Sequence, residues 1–543
     1  MFKCKQLLRR ICVVSYVFLL CGGLVNASNL VSKTNTLIGT QGNGWASGYL
    51  YPGATYPFGM VQFTPTYFTK QLGFVINQLS GAGCDHMGNF PTLPIAGALR
   101  VSPDSILNMQ TPVGKEIGTA GYYAATVDHS IRAELTVTER TGMARYTFSS
   151  KEKQGTVIIG GGVAATPIQV AAIKITGPHS CEGYAEGGAF CGIPTPYKVY
   201  FVAEFDADAE SFGTWKEEGL HANHTFAEGS HSGVYFTFPL KEGNQAVQYK
   251  IGVSYVSVEN ARENLRVENP AWDFSAVRQA TQDKWNEYLG KIEVEGDNED
   301  RQMQFYTHLY RSLIHPNVCS DVNGEYMGAD SQVHKTARKF YTSFSNWDTY
   351  GTQTALIAML APEETSDIVM SHYLFAEQSG GGFPRWVLAN IETGVMQGDP
   401  TPILVANAYA FGARNYDPRT LLRTMRYGAE VPGANSQGVL TRPGLEQYLE
   451  KGYYDASILL EYTSSDFAIG RFALQACNDE PVCNWYTQRA MNWKNLFNKE
   501  TGWLQSRNED GSWKRYDADW RESTYKNYFW MVPYDLQGLI DSI

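Results

Sequence analysis

Carboxylates and aromatic residues recur together in the second half of this sequence, in loops and at the starts of predicted helices. Four clusters carry them: NWDTY at 346–350, FPRW at 383–386, the segment 392–399, and the segment 513–535, which contains Glu522. Sugars present CH faces that stack on aromatic rings, and hydroxyls that bond to carboxylates and guanidinium groups. The repeated pattern therefore predicts a carbohydrate site built from these loops.

Each cluster also has a plain structural interpretation. Asp348 has the residue type and position of a helix N-cap, and Trp347 and Trp386 are typical core residues. A single Glu522 in a loop is most simply a solvated side chain. The sugar-site interpretation depends on the repetition of the pattern and not on any one residue.

Composition limits the remaining classes of function. The chain has 543 residues, of which 43% are hydrophobic and 18% charged, and its net charge is −11. This apolar content excludes wholesale disorder, and the length predicts more than one domain. The acidic balance argues against nucleic acids and anionic membrane surfaces as main partners.

The N-terminus has the pattern of an export signal. Four basic residues within positions 3–10 precede an apolar stretch at 11–24, and Ala27 offers a small residue for cleavage. We therefore expect residues 1–27 to be a signal peptide and the protein to be exported, either periplasmic or secreted. The apolar stretch is shorter than the ~20 residues that span a bilayer. Lipidation at Cys21 is less expected because Leu20 precedes it.

Six cysteines follow the predicted signal peptide, which fits an oxidising compartment. Two pairs are closely spaced, and we expect disulfides between Cys181 and Cys191 and between Cys477 and Cys483. Cys84 and Cys319 would then be buried thiols. No C-x-x-C pattern occurs, so zinc binding and thiol redox chemistry are not expected.

The hydrophobic pattern of the chain changes from strand-like to helical near residue 258. Short runs rich in Val, Ile, Thr, Tyr and Phe, separated by turn residues, predict a large β-sandwich over 28–258. Residues 259–298 predict a helical linker. From 299 to 543 the periodicity is helical, with helices predicted over 349–360, 363–378, 402–413, 418–429, 454–477 and 481–498. Helices in series joined by aromatic loops indicate an (α/α) toroid, so the fold class is α+β with two domains.

The sequence resembles glycoside hydrolase family 92, the calcium-dependent exo-α-mannosidases. The resemblance covers most of residues 30–543. It is carried by the order and spacing of NTLIGT at 35–40, YPGATYPFGMVQ at 51–62, LSGAGC at 79–84, WDTY at 347–350, FPRW at 383–386, GDP at 398–400, Glu522 and VPYD at 532–535.

This resemblance implies hydrolysis of terminal α-mannosides of glycans with inversion at the anomeric carbon. Glu522 aligns with the general acid, and burial among Trp520, Tyr525 and Trp530 would help to keep it protonated. The resemblance also implies a Ca²⁺ ion that binds sugar hydroxyls. The implied sugar-binding residues are Trp347, Asp348, Arg385, Trp386, Glu392 and Asp399, with Gly83 and Cys84 reaching over from the first domain.

Two departures from the family pattern concern substrate preference and completeness. VINQ stands at 75–78, where many members carry histidines, which indicates a different subfamily and leaves the linkage preference open. Ser523, Thr524, Lys526 and Asn527 differ from the commonest residues after the acid, which puts contacts beyond the first sugar in doubt. Family members continue for some 200 residues past the VPYD motif. We therefore expect the toroid here to be partial, with the general base and the calcium loop beyond residue 543.

Two other functions remain open on sequence grounds. The chain could be a non-catalytic protein that binds mannose-containing glycans and lacks the base. A weaker alternative is a toroid phosphorylase or glucosidase with a similar two-domain plan, although nothing in the sequence requires phosphate.

Overall fold

Alternating apolar residues in the first half of the chain form two large antiparallel sheets. The computed structural model describes residues 29–40, 49–65, 73–104, 113–242 and 245–543. In spatial order, the first sheet contains Ala54–Thr55, Gln62–Pro65, Phe74–Val75, Thr92–Ala96, Gln154–Gly160, Ser232–Pro239, Ser211–Lys216 and Gly219–Ala222.

The second sheet has nine strands in the described residues. In spatial order they are Phe226–Glu228, Ile168–Gly177, Ser180–Phe190, Ile193–Phe205, Ala246–Ser254, Thr141–Thr147, Ile131–Val137, Tyr122–Val127 and Val113–Thr119. Apolar side chains from both sheets meet in one core. Within it, the rings of Phe205 and Phe236 lie 5.0 Å apart and those of Phe63 and Tyr249 lie 6.3 Å apart. The predicted β-sandwich is therefore confirmed.

Two helices, Val258–Glu268 and Phe274–Leu289, follow the last long strand and pack on the sandwich. The side chains of Ser257 and Asp273 cap their N-termini by accepting bonds from backbone N–H groups. The second helix also fixes the chain near the domain boundary, since the Trp285 Nε1 donates to the carbonyl of Thr55 at 2.7 Å.

The second domain is predominantly helical. Its helices in the described residues are Glu299–Ser312, Asn346–Thr349, Gln353–Leu360, Pro362–Ser379, Thr401–Ala410, Pro418–Glu430, Leu445–Lys451, Ala456–Cys477, Glu480–Ala490, Tyr525–Tyr528 and Leu536–Ser542. In the part of the chain that the structure describes, 3₁₀ turns lie at Met491–Leu496 in this domain and at Leu30–Lys33 near the start of the first domain.

Short two-residue and three-residue strands occupy the loops between these helices. They are Asn317–Val318, Glu325–Met327, Val333–Lys335, Tyr341–Thr342, Phe344–Ser345, Trp386–Leu388, Ile391–Glu392, Asn435–Ser436, Val439–Leu440, Phe497–Asn498 and Trp503–Leu504. One three-stranded set joins Phe344–Ser345, Trp386–Leu388 and Ile391–Glu392, so it brings two of the predicted sugar-binding segments side by side.

Backbone hydrogen bonds and one arginine join the two domains. Phe58 donates to the carbonyl of Leu313 and accepts from the amide of Val318. The Arg311 guanidinium donates to the carbonyl oxygens of Tyr51 and Thr36, at 2.8 and 2.7 Å. Loops of the sandwich are thereby held against the helical domain.

The predicted disulfide pairing is wrong. The structure joins Cys84 to Cys191, and Cys181, Cys319, Cys477 and Cys483 are buried free thiols. Cys181 and Cys191 cannot pair because the strand Ser180–Phe190 extends between them, and an extended strand of that length separates its ends by about 30 Å. Cys477 and Cys483 lie on two consecutive helices, Ala456–Cys477 and Glu480–Ala490, where each is buried separately.

The predicted signal peptide, residues 1–27, lies outside the described residues. Among the described residues, none of the helices has the length and the apolar character needed to cross a membrane.

Candidate active site

The short helix Asn346–Thr349 carries two candidate residues, Trp347 and Asp348, and follows the long loop region 313–345 of the helical domain. Buried Asn346 anchors it by donating from Nδ2 to the Pro384 carbonyl at 3.1 Å and to the Thr401 hydroxyl at 2.9 Å. Asp348 itself is exposed. Because Asn346 is held in place, the side chains that follow it have a defined direction.

Trp386 lies beside Asp348 and links it to the first domain. Its Nε1 donates to the Asp348 carboxylate at 3.3 Å. Its ring stacks on Phe190, with the centroids 4.2 Å apart. Phe190 ends a sandwich strand, and the next residue is the disulfide-bonded Cys191. One wall of the site is therefore assembled from both domains.

The glycine-rich loop of the sandwich reaches this wall. The Ser80 amide donates to Nε2 of His315 at 2.9 Å, and His315 Nδ1 donates to Asn317 Oδ1 at 2.8 Å. Gly83 is exposed, and Cys84 is tied to Cys191. A histidine of the helical domain and the disulfide therefore fix the loop at two points.

A cavity of about 510 Å³ opens between the domains at this loop. Ser80, Gly81 and Ala82 line it on the sandwich side, and Asp348 and Trp386 line it on the helical side. Gly83 and Cys84 do not line it, so the predicted contribution of this loop to the cavity comes from the three residues before them.

Arg385 and Glu392 are buried behind this wall and support its backbone. Glu392 accepts from the backbone amides of Arg385, Trp386 and Gly394, at 2.7, 3.2 and 3.0 Å. Burial raises the pKa of Glu392 although Arg385 lowers it. The Arg385 Nε donates to the carbonyl of Gly398 at 3.0 Å. Their polar groups hold the backbone of the FPRW segment.

Asp399 is also buried and is held by an ion pair. Its carboxylate accepts from the Arg442 Nε at 2.8 Å, and Arg442 in turn bonds Asp466 at 2.7 Å. Burial raises the pKa of Asp399, while Arg442 opposes the rise. Asp399 therefore supports the loop that carries it and does not point into the cavity between the domains.

Glu522 faces a second cavity, of about 360 Å³, which Trp347, Tyr350 and Tyr528 also line. The expected burial of Glu522 is wrong: Glu522 is exposed, and Trp530 is 62% exposed. The backbone of Glu522 has φ +51°, in the left-handed region that favours glycine.

The structure thus brings Glu522, Trp347 and Asp348 into one region. Although Asp348 as a whole residue is exposed, partial desolvation of its carboxyl group raises the pKa of Asp348, and the nearby charge of Glu522 adds to the rise. Two carboxyl groups therefore lie near each other beside aromatic rings. An arrangement of this kind can donate a proton to a sugar oxygen and accept hydrogen bonds from sugar hydroxyls.

Glu461 also belongs to this region, although no pattern in the sequence singled it out. It lies within the helix Ala456–Cys477 and accepts from the Trp347 Nε1 at 2.6 Å. The available signal was an acidic residue on a helix whose other residues are mostly apolar or small. That signal names no partner, because Trp347 is 114 positions away in the chain.

A calcium site is not evident in the described part of the chain. Among those residues, no group of three or more His, Cys, Asp or Glu side chains could hold a metal ion. The carboxylates of Glu392 and Asp399 are already engaged by backbone amides and by Arg442, so these two do not fit a calcium site.

Comparisons with known proteins agree with both domains. The family model described as the glycosyl hydrolase family 92 N-terminal domain matches residues 34–254, and the one described as the glycosyl hydrolase family 92 catalytic domain matches residues 260–543. An uncharacterized secreted glycosidase from Arthroderma benhamiae is 24% identical over 612 residues, which covers 94% of this chain and 72% of that protein.

Two solved structures share the fold. A family GH92 α-mannosidase from Bacteroides thetaiotaomicron has a TM-score of 0.86 and 24% identity, and the match covers 95% of this chain and 73% of that one. An inverting GH92 mannosidase from the same species has a TM-score of 0.85 and 25% identity, and the match covers 94% and 72%. The catalytic-domain model spans more than half of the sequence, and this chain belongs to glycosyl hydrolase family 92.

Proposed function

We propose that this protein is an exo-acting α-mannosidase that removes terminal α-mannosides from glycans with inversion, and that Glu522 is its general acid. The observation that carries the proposal is the position of Glu522 in a cavity lined by Trp347, close enough to Asp348 to raise the pKa of that carboxyl. Family membership and the two mannosidases of similar fold support the choice of substrate.

In this proposal the site residues divide into two groups. Trp347, Asp348 and Trp386 face the cavities and contact the sugar, and the exposed Asp348 carboxylate accepts from its hydroxyls. Arg385, Glu392 and Asp399 hold the backbone behind them. Gly83 and Cys84 act through the loop to which they belong, whose residues 80–82 border the cavity.

Inversion needs a second carboxylate that activates water, at about 6.5–9.5 Å from the acid. We do not assign this role to Asp517 or Asp519, because each is paired with a nearby cation: Asp517 with Arg515 at 2.6 Å, and Asp519 with Lys514 at 2.7 Å. We assign neither the general base nor the ligands of the Ca²⁺ implied by the family to residues of the described part of the chain.

Export is part of the same proposal. The N-terminal pattern, the Cys84–Cys191 disulfide and the relative described as a secreted glycosidase support a protein that works outside the cytoplasm. The mass of the N-terminal peptide of the exported protein would test it, with cleavage after Ala27 as the expected result.

The variant Glu522→Gln tests the assignment of the acid. Loss of a general acid costs about 10²–10⁴-fold in rate, and we expect a loss of that size in kcat on α-mannosides with unactivated leaving groups. An aryl mannoside whose leaving group needs little protonation should be affected much less. The exposed Glu500→Gln is the matched control. Equal rates for wild type and Glu522→Gln would remove Glu522 from this role.

The alternative of a glycan-binding protein predicts a different result. Binding of methyl α-mannoside without any turnover, even at high protein concentration, would favour it over hydrolysis.

A further inference from the structure

Glu461 is a buried carboxyl group in direct contact with the candidate site. The residue is 2% exposed, and its Oε1 accepts from the Trp347 Nε1 at 2.6 Å and from the Gln397 Nε2 at 3.1 Å. Its Oε2 is buried and has no hydrogen-bond partner in the described structure. A β-carbon on Gly398 would lie 1.9 Å from this oxygen, so only glycine leaves room for the carboxylate.

A chain of hydrogen bonds leads from Glu461 to the segment that carries Glu522. Ser457 donates to Gln397 Oε1 at 3.1 Å, which orients the amide so that its Nε2 faces both Glu461 and the Tyr528 hydroxyl, the latter at 3.3 Å. Tyr528 donates to the backbone carbonyl of Arg521 at 3.1 Å. The next residue is Glu522, whose positive φ needs support from its surroundings.

We propose that Glu461 is a positioning residue for this site: its carboxylate holds the Trp347 indole directly and, through Gln397 and Tyr528, holds the turn that presents Glu522. The inference rests on the proposed function for its catalytic consequence. Glu461 is not a catalytic residue in it, because the side chain is enclosed and does not line either cavity.

The protonation state of Glu461 sets the strength of this hold. Burial raises the pKa of Glu461 to about 7, while its bonds to Trp347 and Gln397 and the charges of Arg385 and Arg521 oppose the rise. Tyr350 and Tyr528 also lie near it, and Glu461 contributes to the raised pKa of each. Because an ionised acceptor forms shorter and stronger hydrogen bonds than a neutral one, the hold tightens as pH rises through 7.

The indole N–H of Trp347 reports this contact without any need for turnover. We would record ¹⁵N–¹H spectra of the full 543-residue chain labelled on tryptophan, and assign the resonance with Trp347→Phe. The resonance should shift with a midpoint near pH 7 in wild type and in the control Glu450→Gln, an exposed glutamate on another helix. It should be insensitive to pH in Glu461→Gln. A resonance that does not titrate in wild type, or that still titrates in Glu461→Gln, overturns the proposal.

Kinetics on an aryl α-mannoside test the link to Glu522. A hydrogen bond to a neutral acceptor is weaker than one to a charged acceptor by about a five- to tenfold factor in equilibrium constant. We therefore expect kcat of Glu461→Gln to be lower than that of wild type by this factor above pH 7. Below pH 6 both side chains are neutral, so the two kcat values should converge. A uniformly destabilised protein would lose activity at both pH values. Equal kcat at pH 8 in wild type and Glu461→Gln would contradict the proposal.

Tyr528→Phe separates the two contacts of Glu461, the direct bond to Trp347 and the path through Gln397 and Tyr528 to Glu522. It also tests the proposal if Glu461→Gln does not fold. It removes the hydroxyl that accepts from Gln397 and donates to the Arg521 carbonyl. We expect a lower kcat with the titration of the Trp347 resonance retained. An unchanged kcat would rule out the path from Glu461 through Gln397 and Tyr528 to Glu522. If no variant and not even wild type hydrolyses mannosides, the proposed function fails, while the indole titration still decides whether Glu461 holds Trp347.

Discussion

Phe190 and Trp386 stack across the domain boundary with ring centroids 4.2 Å apart and ring planes 28° from parallel. Phe190 ends a strand of the sandwich, whereas Trp386 belongs to the FPRW segment of the helical domain and bonds Asp348. The first domain therefore determines where a wall residue of the candidate site lies.

Phe190→Ala should weaken both the protein and its sugar site. Phe190 is buried, and truncation of a buried phenylalanine costs about 3–5 kcal/mol. Because Trp386 loses its stacking partner, the KM for an aryl α-mannoside should rise more than kcat falls. Urea unfolding and steady-state kinetics measure the two effects. Phe226→Ala, at a position 54% exposed on the same sandwich, is the control and should change neither. An unchanged KM in Phe190→Ala would show that the stack does not position the wall.

The disulfide in the structure differs from the Cys181–Cys191 and Cys477–Cys483 pairs expected from the sequence, and the two pairings can be distinguished by experiment. Peptide mapping of the unreduced protein should find Cys84 linked to Cys191, with Cys181, Cys319, Cys477 and Cys483 free to alkylate after unfolding. A Cys181–Cys191 peptide would restore the original pairing. Replacing Cys84 and Cys191 with serine opens a loop of 107 residues and should cost about 2–4 kcal/mol of unfolding free energy.

Arg442→Met should be among the most damaging substitutions in the helical domain. Arg442 is buried between Asp399 and Asp466, and its loss leaves one carboxylate unpaired and the other with fewer bonds. Breaking a buried pair in this way costs about 3–5 kcal/mol. Arg515→Met breaks an exposed pair with Asp517, and such pairs contribute little to stability because solvent and salt screen them. Similar unfolding midpoints for the two variants in urea would contradict this ranking.

The buried His86 and His372 and the half-buried His315 predict a loss of stability in acid. Burial lowers the pKa of His86, His315 and His372 to about 4, and His315 must lack a proton on Nε2 to accept from the Ser80 amide. Since the unfolded chain binds a proton near pH 6.5, the stabilisation is present above that pH and is lost as pH falls toward 4. His315→Gln should make the decline in unfolding free energy between pH 7 and 5 shallower than in wild type. An equally steep decline would contradict the assignment for His315.

Glu461 affects the pH dependence of the unfolding free energy in the opposite direction. The folded protein holds its proton up to about pH 7, whereas an unfolded glutamate releases it near pH 4.3. This group therefore costs stability as pH rises between those values. Relative to wild type, Glu461→Gln should gain unfolding free energy at pH 8 and not at pH 4. A stability difference that is the same at both pH values would mean that the carboxyl does not titrate in this range.

Much of the fold could be predicted because local patterns define it. The helix predicted over 418–429 is Pro418–Glu430, where Asp417 accepts from the first free amides and Pro418 occupies the first turn. One of the runs rich in Val, Ile and Thr that predicted the sandwich is the strand Gln154–Gly160, which pairs with a neighbouring strand on each side. These elements depend on residues that are neighbours in the chain, so the sequence contains the information directly.

The loops that hold Trp347, Trp386 and Glu522 were also identifiable, because aromatic and carboxylate residues cluster there in the chain itself. Which residues of these loops are exposed to the cavities and which are buried behind them could not be predicted from the sequence. Arg385 and Asp399 have the residue types of sugar ligands, yet backbone carbonyls and Arg442 engage them. Burial and partners depend on segments far away in sequence, and residue type does not report them.

The sequence alone thus determined the two-domain order, most of the strands and helices, the family, and the segments from which the site is built. Only the tertiary structure decided that Cys84 pairs with Cys191, that Phe190 supports Trp386, and that Glu461 meets Trp347 across 114 residues of chain. The physical reason is that caps, turns and periodicity are short-range, whereas a disulfide, a ring stack or a buried carboxyl contact forms only where folding brings distant segments together.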